Sequence, residues 1–187
     1  MSVRRTGVLA GAFNPVTRAH LALLESARNF TDELICVVPR AYPHKSFEGA
    51  TFDQRLEMLH LAAGGFSVRT TEGGLFIDIA RELKSAGPAT EILFICGSDA
   101  AERIVAWDYG EPNAIDRQLE EYGLLVGARR RHYAPPEHLR PRIHHIPLAE
   151  EWQVISSTEV RRRIATGEPW EHLVPESIVA LARSIYK

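Results

Sequence analysis

The chain has 187 residues, of which 45% are hydrophobic and 25% charged, and its formal net charge is −2. This composition argues against a disordered chain and predicts one globular domain, residues 1–187, whose core needs no disulfide or metal for stability. Because there is no basic excess, a nucleic-acid partner is disfavoured and a small-molecule substrate is favoured.

The cysteines and the apolar runs indicate the compartment. Cys36 and Cys96 each lie inside an apolar, strand-like run, which is typical of small core residues in a reducing compartment. No apolar stretch approaches the roughly 20 residues that span a bilayer, and the N-terminal apolar run ends at a turn. We therefore expect a cytoplasmic protein with no membrane partner.

Apolar runs alternate with segments of helical periodicity along the chain. A strand, a helix and a strand within the first forty residues predict a βαβ unit, and hence a parallel sheet with right-handed crossovers. The predicted strands are 6–10, 33–38, 66–70, 91–96 and 122–128, with a short strand around Ile143. The predicted helices begin at Thr17, run over 52–63 and 75–85, follow Asp99, run from Ser156 to near Gly167, and close the chain over 170–174 and 177–186.

The most informative stretch joins the first strand to the first helix. The strand is broken by Gly11 and by Asn14-Pro15, and Thr17 is placed to cap the helix that follows. A helix entered directly from a strand points its unpaired N–H groups at the carboxyl edge of the sheet, where anions bind. His20 shares a helix face with Thr17 and overlooks that place. The alternative interpretation is that Thr17 only caps and that His20 is a histidine satisfied within the fold.

A second helix opening of the same kind lies near the end of the sequence. Ser156 with Glu159 reads as a capping box, so a helix begins here, and Arg161 lies one turn in. The N–H groups, the hydroxyls and the guanidinium together make a second anion site. A well-capped helix with a basic face is the alternative. Because one chain carries two such sites, we expect them to converge on one triphosphate.

Both stretches resemble one family. Residues 11–21, Gly-Ala-Phe-Asn-Pro-Val-Thr-Arg-Ala-His-Leu, are similar to the G-x-F-N-P-x-T-x-x-H-L signature of the nicotinamide and nicotinate mononucleotide adenylyltransferases, in the nucleotidylyltransferase superfamily. Residues 155–161, Ile-Ser-Ser-Thr-Glu-Val-Arg, match the family's I-S-S-T-x-x-R motif, and residues 53–59 are similar to its bacterial D-x-R-x-x-M-L stretch. The resemblance implies a Rossmann-like, doubly wound α/β fold, with the core over 1–150 and a helical C-terminal segment over 151–187.

The resemblance also implies an activity of NAD biosynthesis, in which a mononucleotide phosphate attacks the α-phosphorus of ATP and pyrophosphate leaves. Mg²⁺ is expected to arrive with ATP, mostly hydrated, because no carboxylate cluster suggests a metal site built by the protein. His20 and Arg161 are the expected catalytic donors to phosphate oxygens. Asp99, at a strand-to-helix junction, is expected to bind ribose hydroxyls, to cap the helix, or both. The residues implied in ATP binding are Gly11, Ala12, Phe13, Thr17, His20, Gly97, Asp99, Ser156, Ser157, Thr158 and Arg161.

The residues that receive the pyridine nucleotide are matched less fully. Phe76 follows a Glu-Gly-Gly stretch where the family often has Thr, Tyr or Trp against the pyridine ring, and it is either a stacking residue or a core phenylalanine. Trp107 is expected to line the pyridine pocket, with a half-buried core aromatic as the alternative. The residues implied in mononucleotide binding are Asn14, Lys45, Phe76, Trp107 and Arg129.

Two other functions stay open. One is a related nucleotidylyltransferase with another phosphorylated acceptor, of the cytidylyltransferase or pantetheine-phosphate adenylyltransferase type. The other is a nucleotide-binding regulator without turnover, against which the intact His20 and Arg161 argue. Because residues 70–90 match the family poorly, the sequence leaves open the choice between nicotinate and nicotinamide. It also leaves open a homo-oligomer.

Overall fold

One sheet of six parallel strands organises the computed structural model, which describes residues 3–42, 49–87, 90–127 and 133–187. The strands are β1 (Arg4–Ala10), β2 (Glu33–Pro39), β3 (Ser67–Thr71), β4 (Thr90–Gly97), β5 (Tyr122–Gly127) and β6 (Ile143–Ile146). Their order across the sheet is β3-β2-β1-β4-β5-β6, and every pairing is parallel. This is the strand order of the doubly wound Rossmann fold, so the predicted fold is confirmed.

Alternate residues of the central strands fill two separate cores. Leu9 of β1 and Leu93 of β4 belong to one cluster of buried side chains, whereas Val8 and Phe94 of the same strands belong to the other. Because both faces of the sheet are covered by helices, the strands read in the sequence as continuous apolar runs rather than as an alternating pattern.

The helices divide between the two faces of the sheet. They are α1 (Arg18–Ala27), α2 (Phe52–Ala62), α3 (Phe76–Ser85), α4 (Ser98–Ala106), α5 (Ala114–Glu121), α6 (Glu150–Gln153), α7 (Ser157–Thr166) and α8 (Val179–Ile185). Helices α1, α2, α7 and α8 pack in the cluster with Leu9, and α3, α4 and α5 pack in the cluster with Val8. The helices therefore change face on the crossover from β3 to β4. Since β4 lies beside β1, the carboxyl ends of these two strands form the switch point at which such sheets bind ligands.

The last part of the chain packs into the same core as the first helix. Trp170, Val174 and Ile178 are buried in the cluster that contains Leu24 of α1. Short 3₁₀ turns, Glu171–Leu173 and Glu176–Ile178, stand in place of much of the two predicted closing helices. Both predicted segments are therefore helical, but the first is only a 3₁₀ turn, and regular α-helix is confined to α8 in the second.

Helix α5 lies in a stretch for which the sequence predicts no element. It begins after Asn113, whose φ of 54° is left-handed, and it buries only Ala114 and Leu119. The other positions are mostly polar or charged, so the apolar stripe is too thin to read from the sequence. Within the described part of the chain, no helix has the length and apolar character needed to cross a membrane.

Candidate active site

The first signature motif lies at the carboxyl edge of the sheet. β1 ends at Ala10 and leads into α1, which has Thr17 as its N-cap, and β4 ends at Gly97 and leads directly into α4. Since β1 and β4 are neighbours, the N-termini of α1 and α4 open onto the same crevice. Asp99 is exposed in the first turn of α4, beside this crevice.

Residues 11–15, called the signature turn below, are held by side chains from other parts of the chain. Four of the five backbone carbonyls of the turn each accept a hydrogen bond from a side chain. The pairs are Tyr42 Oη with Gly11 O at 2.7 Å, Arg55 Nη1 with Ala12 O at 3.0 Å, Arg161 Nη1 with Asn14 O, and Ser157 Oγ with Pro15 O at 2.7 Å. The carbonyl oxygens of the turn are thereby committed to the protein, which fixes the direction of its peptide groups.

The turn presents backbone N–H groups in an arrangement that suits an anion. Phe13 has a φ of 48°, in the left-handed region, and its ring is buried. The Gly11 N–H donates to Val37 O at 3.0 Å, whereas the Ala12 and Phe13 N–H groups meet no acceptor among the residues that the structure describes. Successive N–H groups next to a left-handed residue form a concave site for a phosphate oxygen. Ala12 and Phe13 are called the nest below.

Helix α7 docks directly on the signature turn. Ser157 donates from its hydroxyl to Pro15 O, and Arg161 donates from its guanidinium to Asn14 O. The first of these bonds joins residues 142 positions apart in the sequence. The two helix openings are therefore in direct contact, and their binding of one triphosphate stays a prediction.

His20 is fixed by the N-cap of its own helix. Its Nδ1 accepts a hydrogen bond from the Thr17 N–H at 3.0 Å and lies 2.9 Å from Thr17 Oγ1. A backbone N–H can only donate, so Nδ1 is the unprotonated nitrogen and the neutral ring carries its proton on Nε2. The ring also packs edge-on against Phe13, with 5.1 Å between ring centroids. Both interpretations of the sequence are thus compatible, because one nitrogen serves the cap and the other is a donor.

The predicted contact of Asn14 with the mononucleotide is corrected by its burial. Its side chain is 3% exposed, and its Oδ1 accepts hydrogen bonds from the Tyr186 hydroxyl and from the Ala50 N–H, the latter at 3.3 Å. A carboxamide oxygen that is buried and committed to two protein donors shapes the turn. We therefore assign Asn14 to the architecture of the site.

Glu159, in the first turn of α7, binds the two arginines that follow Arg161. Ser156 is the N-cap and accepts the Glu159 N–H at 3.1 Å, which is half of the predicted capping box. The other half is absent from the hydrogen bonds of the described residues, because the Glu159 carboxylate binds Arg162 and Arg163 instead. These guanidinium groups lower the pKa of Glu159 to about 2. The Glu159 carboxylate thus binds Arg162 and Arg163, whereas the Arg161 guanidinium donates to Asn14 O of the signature turn.

The two predicted pyridine contacts have different environments. Phe76 stacks on Phe94 with 4.0 Å between ring centroids and meets Tyr122 edge-on, so it is part of the second core. These contacts favour the core alternative for Phe76, because Phe94 covers one face of its ring, and a stacking role stays a prediction. Trp107, the C-cap of α4, is 45% exposed, which leaves ring surface for a ligand.

The remaining predicted residues differ in burial, and two of them are not described. Thr17 is buried, Gly97 is half-buried as the N-cap of α4, and Thr158 is exposed in the first turn of α7. Lys45 and Arg129 lie outside the described residues.

Three residues that the sequence did not assign to the site hold the signature turn. They are Tyr42, Arg55 and Tyr186. Arg55 is buried, and burial raises the pKa of Tyr42 to about 12 against a smaller lowering by Arg55. Tyr42 is therefore a neutral donor at any physiological pH. Of the three, only Arg55 had a signal in the sequence, since it lies in the D-x-R-x-x-M-L stretch.

A groove of about 500 Å³ lies at the opposite, amino edge of the sheet. It is lined by Arg4, Arg28, Thr31, Asp32, Glu33, Leu34, Gly65, Phe66 and Ser67. None of these belongs to either motif, and the arginines alternate with carboxylates. The motifs at the carboxyl edge, rather than this groove, mark the candidate active site.

Comparisons with known proteins show which family the chain resembles. The model of the cytidylyltransferase-like family matches residues 8–163. The chain is 32% identical to a "Probable nicotinate-nucleotide adenylyltransferase" of Geobacter metallireducens, over 93% of each chain. It is also 32% identical to a protein of that name in Thermus thermophilus, over 93% of this chain and 94% of that one.

A solved structure shares the fold. The nicotinic acid mononucleotide adenylyltransferase of Plasmodium falciparum, complexed with NaAD, superimposes with a TM-score of 0.73 and 20% identity, over 95% of this chain and 96% of that one. With both motifs in contact at the switch point and relatives aligned over nearly their whole length, the chain belongs to the nicotinate-nucleotide adenylyltransferase family, within the cytidylyltransferase-like proteins.

Proposed function

We propose that this adenylyltransferase takes MgATP and nicotinate mononucleotide as its substrates and forms nicotinate adenine dinucleotide and pyrophosphate. The observation that carries the proposal is the direct docking of α7 on the signature turn, which brings Arg161 to the same peptide segment as the nest and His20. The names of the relatives favour nicotinate over nicotinamide.

The proposed reaction is an in-line displacement at phosphorus. An oxygen of the mononucleotide 5′-phosphate forms a bond to the α-phosphorus of ATP. The bond from that phosphorus to the bridging oxygen breaks, and pyrophosphate leaves with the electron pair. The attacking phosphate is already anionic, so no base is required, and catalysis consists of positioning and charge stabilisation.

The chain supplies donors for the charge that develops on the phosphate oxygens. The nest offers two backbone N–H groups, His20 offers Nε2–H, and Arg161 offers a guanidinium. The N-termini of α1 and α7 add the positive ends of their dipoles. We propose that Mg²⁺ enters as part of the substrate, because Mg²⁺ keeps several waters and is commonly bound through phosphates.

The function is tested by the acceptor profile of the purified protein. Pyrophosphate release is measured with MgATP and, separately, nicotinate mononucleotide, nicotinamide mononucleotide or pantetheine phosphate. We expect the highest kcat/KM with nicotinate mononucleotide. Faster turnover with pantetheine phosphate would show that the acceptor is pantetheine phosphate rather than nicotinate mononucleotide. Nucleotide binding without pyrophosphate release from any mixture would indicate a regulator.

Trp107 is proposed to stack on the pyridine ring. We expect Trp107→Ala to raise the KM for the mononucleotide about tenfold, which corresponds to about 1.4 kcal/mol of lost stacking, and to leave the KM for ATP within twofold. Phe30→Ala is the matched control, because Phe30 is also an exposed aromatic, at 36%, but lies after α1 and away from the motifs. Equal changes in both KM values, or in both variants, would contradict the stacking role.

The two cysteines indicate the compartment in which the protein acts. Both cysteines are free and buried in strands, which suits a reducing environment, and we propose the cytoplasm as the site of action. The homo-oligomer stays a prediction.

A further inference from the structure

Tyr186 is a buried residue between exposed neighbours. It is the C-cap of α8, and its side chain is 7% exposed, although Arg183, Ser184 and Lys187 around it are exposed. Its backbone is also ordered, because its N–H donates to Ala182 O at 2.9 Å. The aromatic ring belongs to the same core as Phe13.

The hydroxyl of Tyr186 donates to the side chain of Asn14. A carboxamide oxygen can only accept, so the direction of this bond is fixed, and the phenol has to keep its proton. Burial raises the pKa of Tyr186 well above its usual value, while the charges of Arg161 and Arg55 act to lower it. Tyr186 is therefore a neutral donor to Asn14.

Asn14 links this hydroxyl to the candidate catalytic groups. Its side-chain oxygen accepts from Tyr186, and its own backbone carbonyl accepts from Arg161. It also directly follows Phe13 of the nest in the sequence. Rotation of the Asn14 side chain or peptide would therefore move both the nest and the carbonyl oxygen that Arg161 binds.

We propose that Tyr186 is a positioning residue for adenylyl transfer: its hydroxyl locks Asn14, and through Asn14 it orients the nest and Arg161. Tyr186 itself touches no reacting atom in this scheme. The inference rests on the proposed function for its kinetic consequence, but the ordering of the turn is a property of the protein alone.

The test compares two tyrosine hydroxyls of the same kind. Tyr186→Phe removes the donor to Asn14 and keeps the ring. Tyr122→Phe is the matched control, because Tyr122 is also buried and its hydroxyl donates to a carboxamide oxygen, that of Gln118, at 3.0 Å in the other core. For both full-length variants, kcat, KM for each substrate, the unfolding midpoint and hydrogen exchange of the peptide containing residues 11–17 are measured.

We expect Tyr186→Phe to lower kcat about tenfold, with both KM values within about threefold, and to speed exchange in residues 11–17 about tenfold. The control should leave all of these values within twofold and shift only the unfolding midpoint, by about as much as Tyr186→Phe does. Unchanged kcat and exchange in Tyr186→Phe, or equal losses in both variants, would overturn the proposal. If the wild-type protein releases no pyrophosphate with any acceptor, the proposed function fails, and the exchange rates alone then decide whether Tyr186 orders the turn.

Discussion

Replacement of His20 by alanine is expected to lower kcat by roughly two to four orders of magnitude, with the KM values nearly unchanged and a lower unfolding midpoint, because the Thr17 N–H loses its acceptor. The reason is that the two ring nitrogens of His20 have different roles. Nδ1 accepts from the Thr17 N–H, which fixes the ring and its tautomer, and we propose that Nε2–H donates to the phosphate oxygens that gain charge in the transition state.

The two roles of His20 are separated by a second variant. His20→Asn offers a carboxamide oxygen near the position of Nδ1, so it retains an acceptor for Thr17, but it lacks the Nε2 donor. We expect it to unfold near the wild-type midpoint and still to lose most of the activity. His60→Ala, an exposed histidine in the last turn of α2, is the control and should behave as wild type.

One outcome would favour the purely structural interpretation of His20. If His20→Asn recovers both stability and turnover relative to His20→Ala, the cap is what matters and the Nε2 donor is dispensable. Steady-state kinetics and thermal unfolding on the three variants distinguish the cases.

The sheet was predictable because its strands are buried on both faces. Runs such as 34–38 and 92–96 contain no polar residue, and short apolar runs of this kind between turn signals are typical of strands buried on both faces. The boundaries agree closely, with the second strand observed at Glu33–Pro39 and the fourth at Thr90–Gly97. Helix α5 escaped prediction because it buries only Ala114 and Leu119.

The site was predictable where its residues are local in sequence. Thr17 and His20 are one helical turn apart, so the relation between cap and histidine follows from spacing alone. The residues that hold the signature turn are not local. Tyr42 and Arg55 bond to residues 31 and 43 positions away, and Tyr186 to one 172 positions away. Such contacts join segments that are distant in the sequence, and no local pattern encodes them.

The sequence also could not tell a buried aromatic from a binding one. Phe76 and Trp107 are both isolated aromatics, and both resemble ring-stacking residues. Packing separates them, because Phe76 packs on Phe94 at the second core and Trp107 is 45% exposed. Asn14 shows the same ambiguity for a polar side chain, since burial turned a predicted ligand contact into part of the scaffold.

Replacement of Arg161 by alanine should lower kcat by about 10²–10³-fold. Arg161 serves two purposes in the structure: its guanidinium holds Asn14 O, and it brings a fixed positive charge to the N-terminus of α7, next to the nest. Arg161→Lys keeps the charge but loses the planar fork that reaches two acceptors at once, so we expect it to recover less than tenfold of the lost activity.

The next residue on the same helix provides the control. Arg162 is exposed and is engaged by Glu159 and Glu168, and its guanidinium holds the pKa of Glu168 at about 2. Arg162→Ala removes the same positive charge from the same helix without touching the signature turn. We expect its kcat to stay within twofold of wild type, with a small loss in the unfolding midpoint that becomes smaller still at high salt.

Chemical rescue distinguishes two roles of Arg161: donation to the phosphates and support of the signature turn. If Arg161 acts on the phosphates, free guanidinium ion added to Arg161→Ala should raise kcat toward the value of the lysine variant, and it should leave Arg162→Ala unchanged. If Arg161 only braces Asn14, the small cation cannot restore the tether between α7 and the turn, so activity stays low while exchange in residues 11–17 is fast. Because Arg161 joins the two motifs together with Ser157, rescue without a change in exchange would place Arg161 in the chemistry, and fast exchange without rescue would place it in the scaffold.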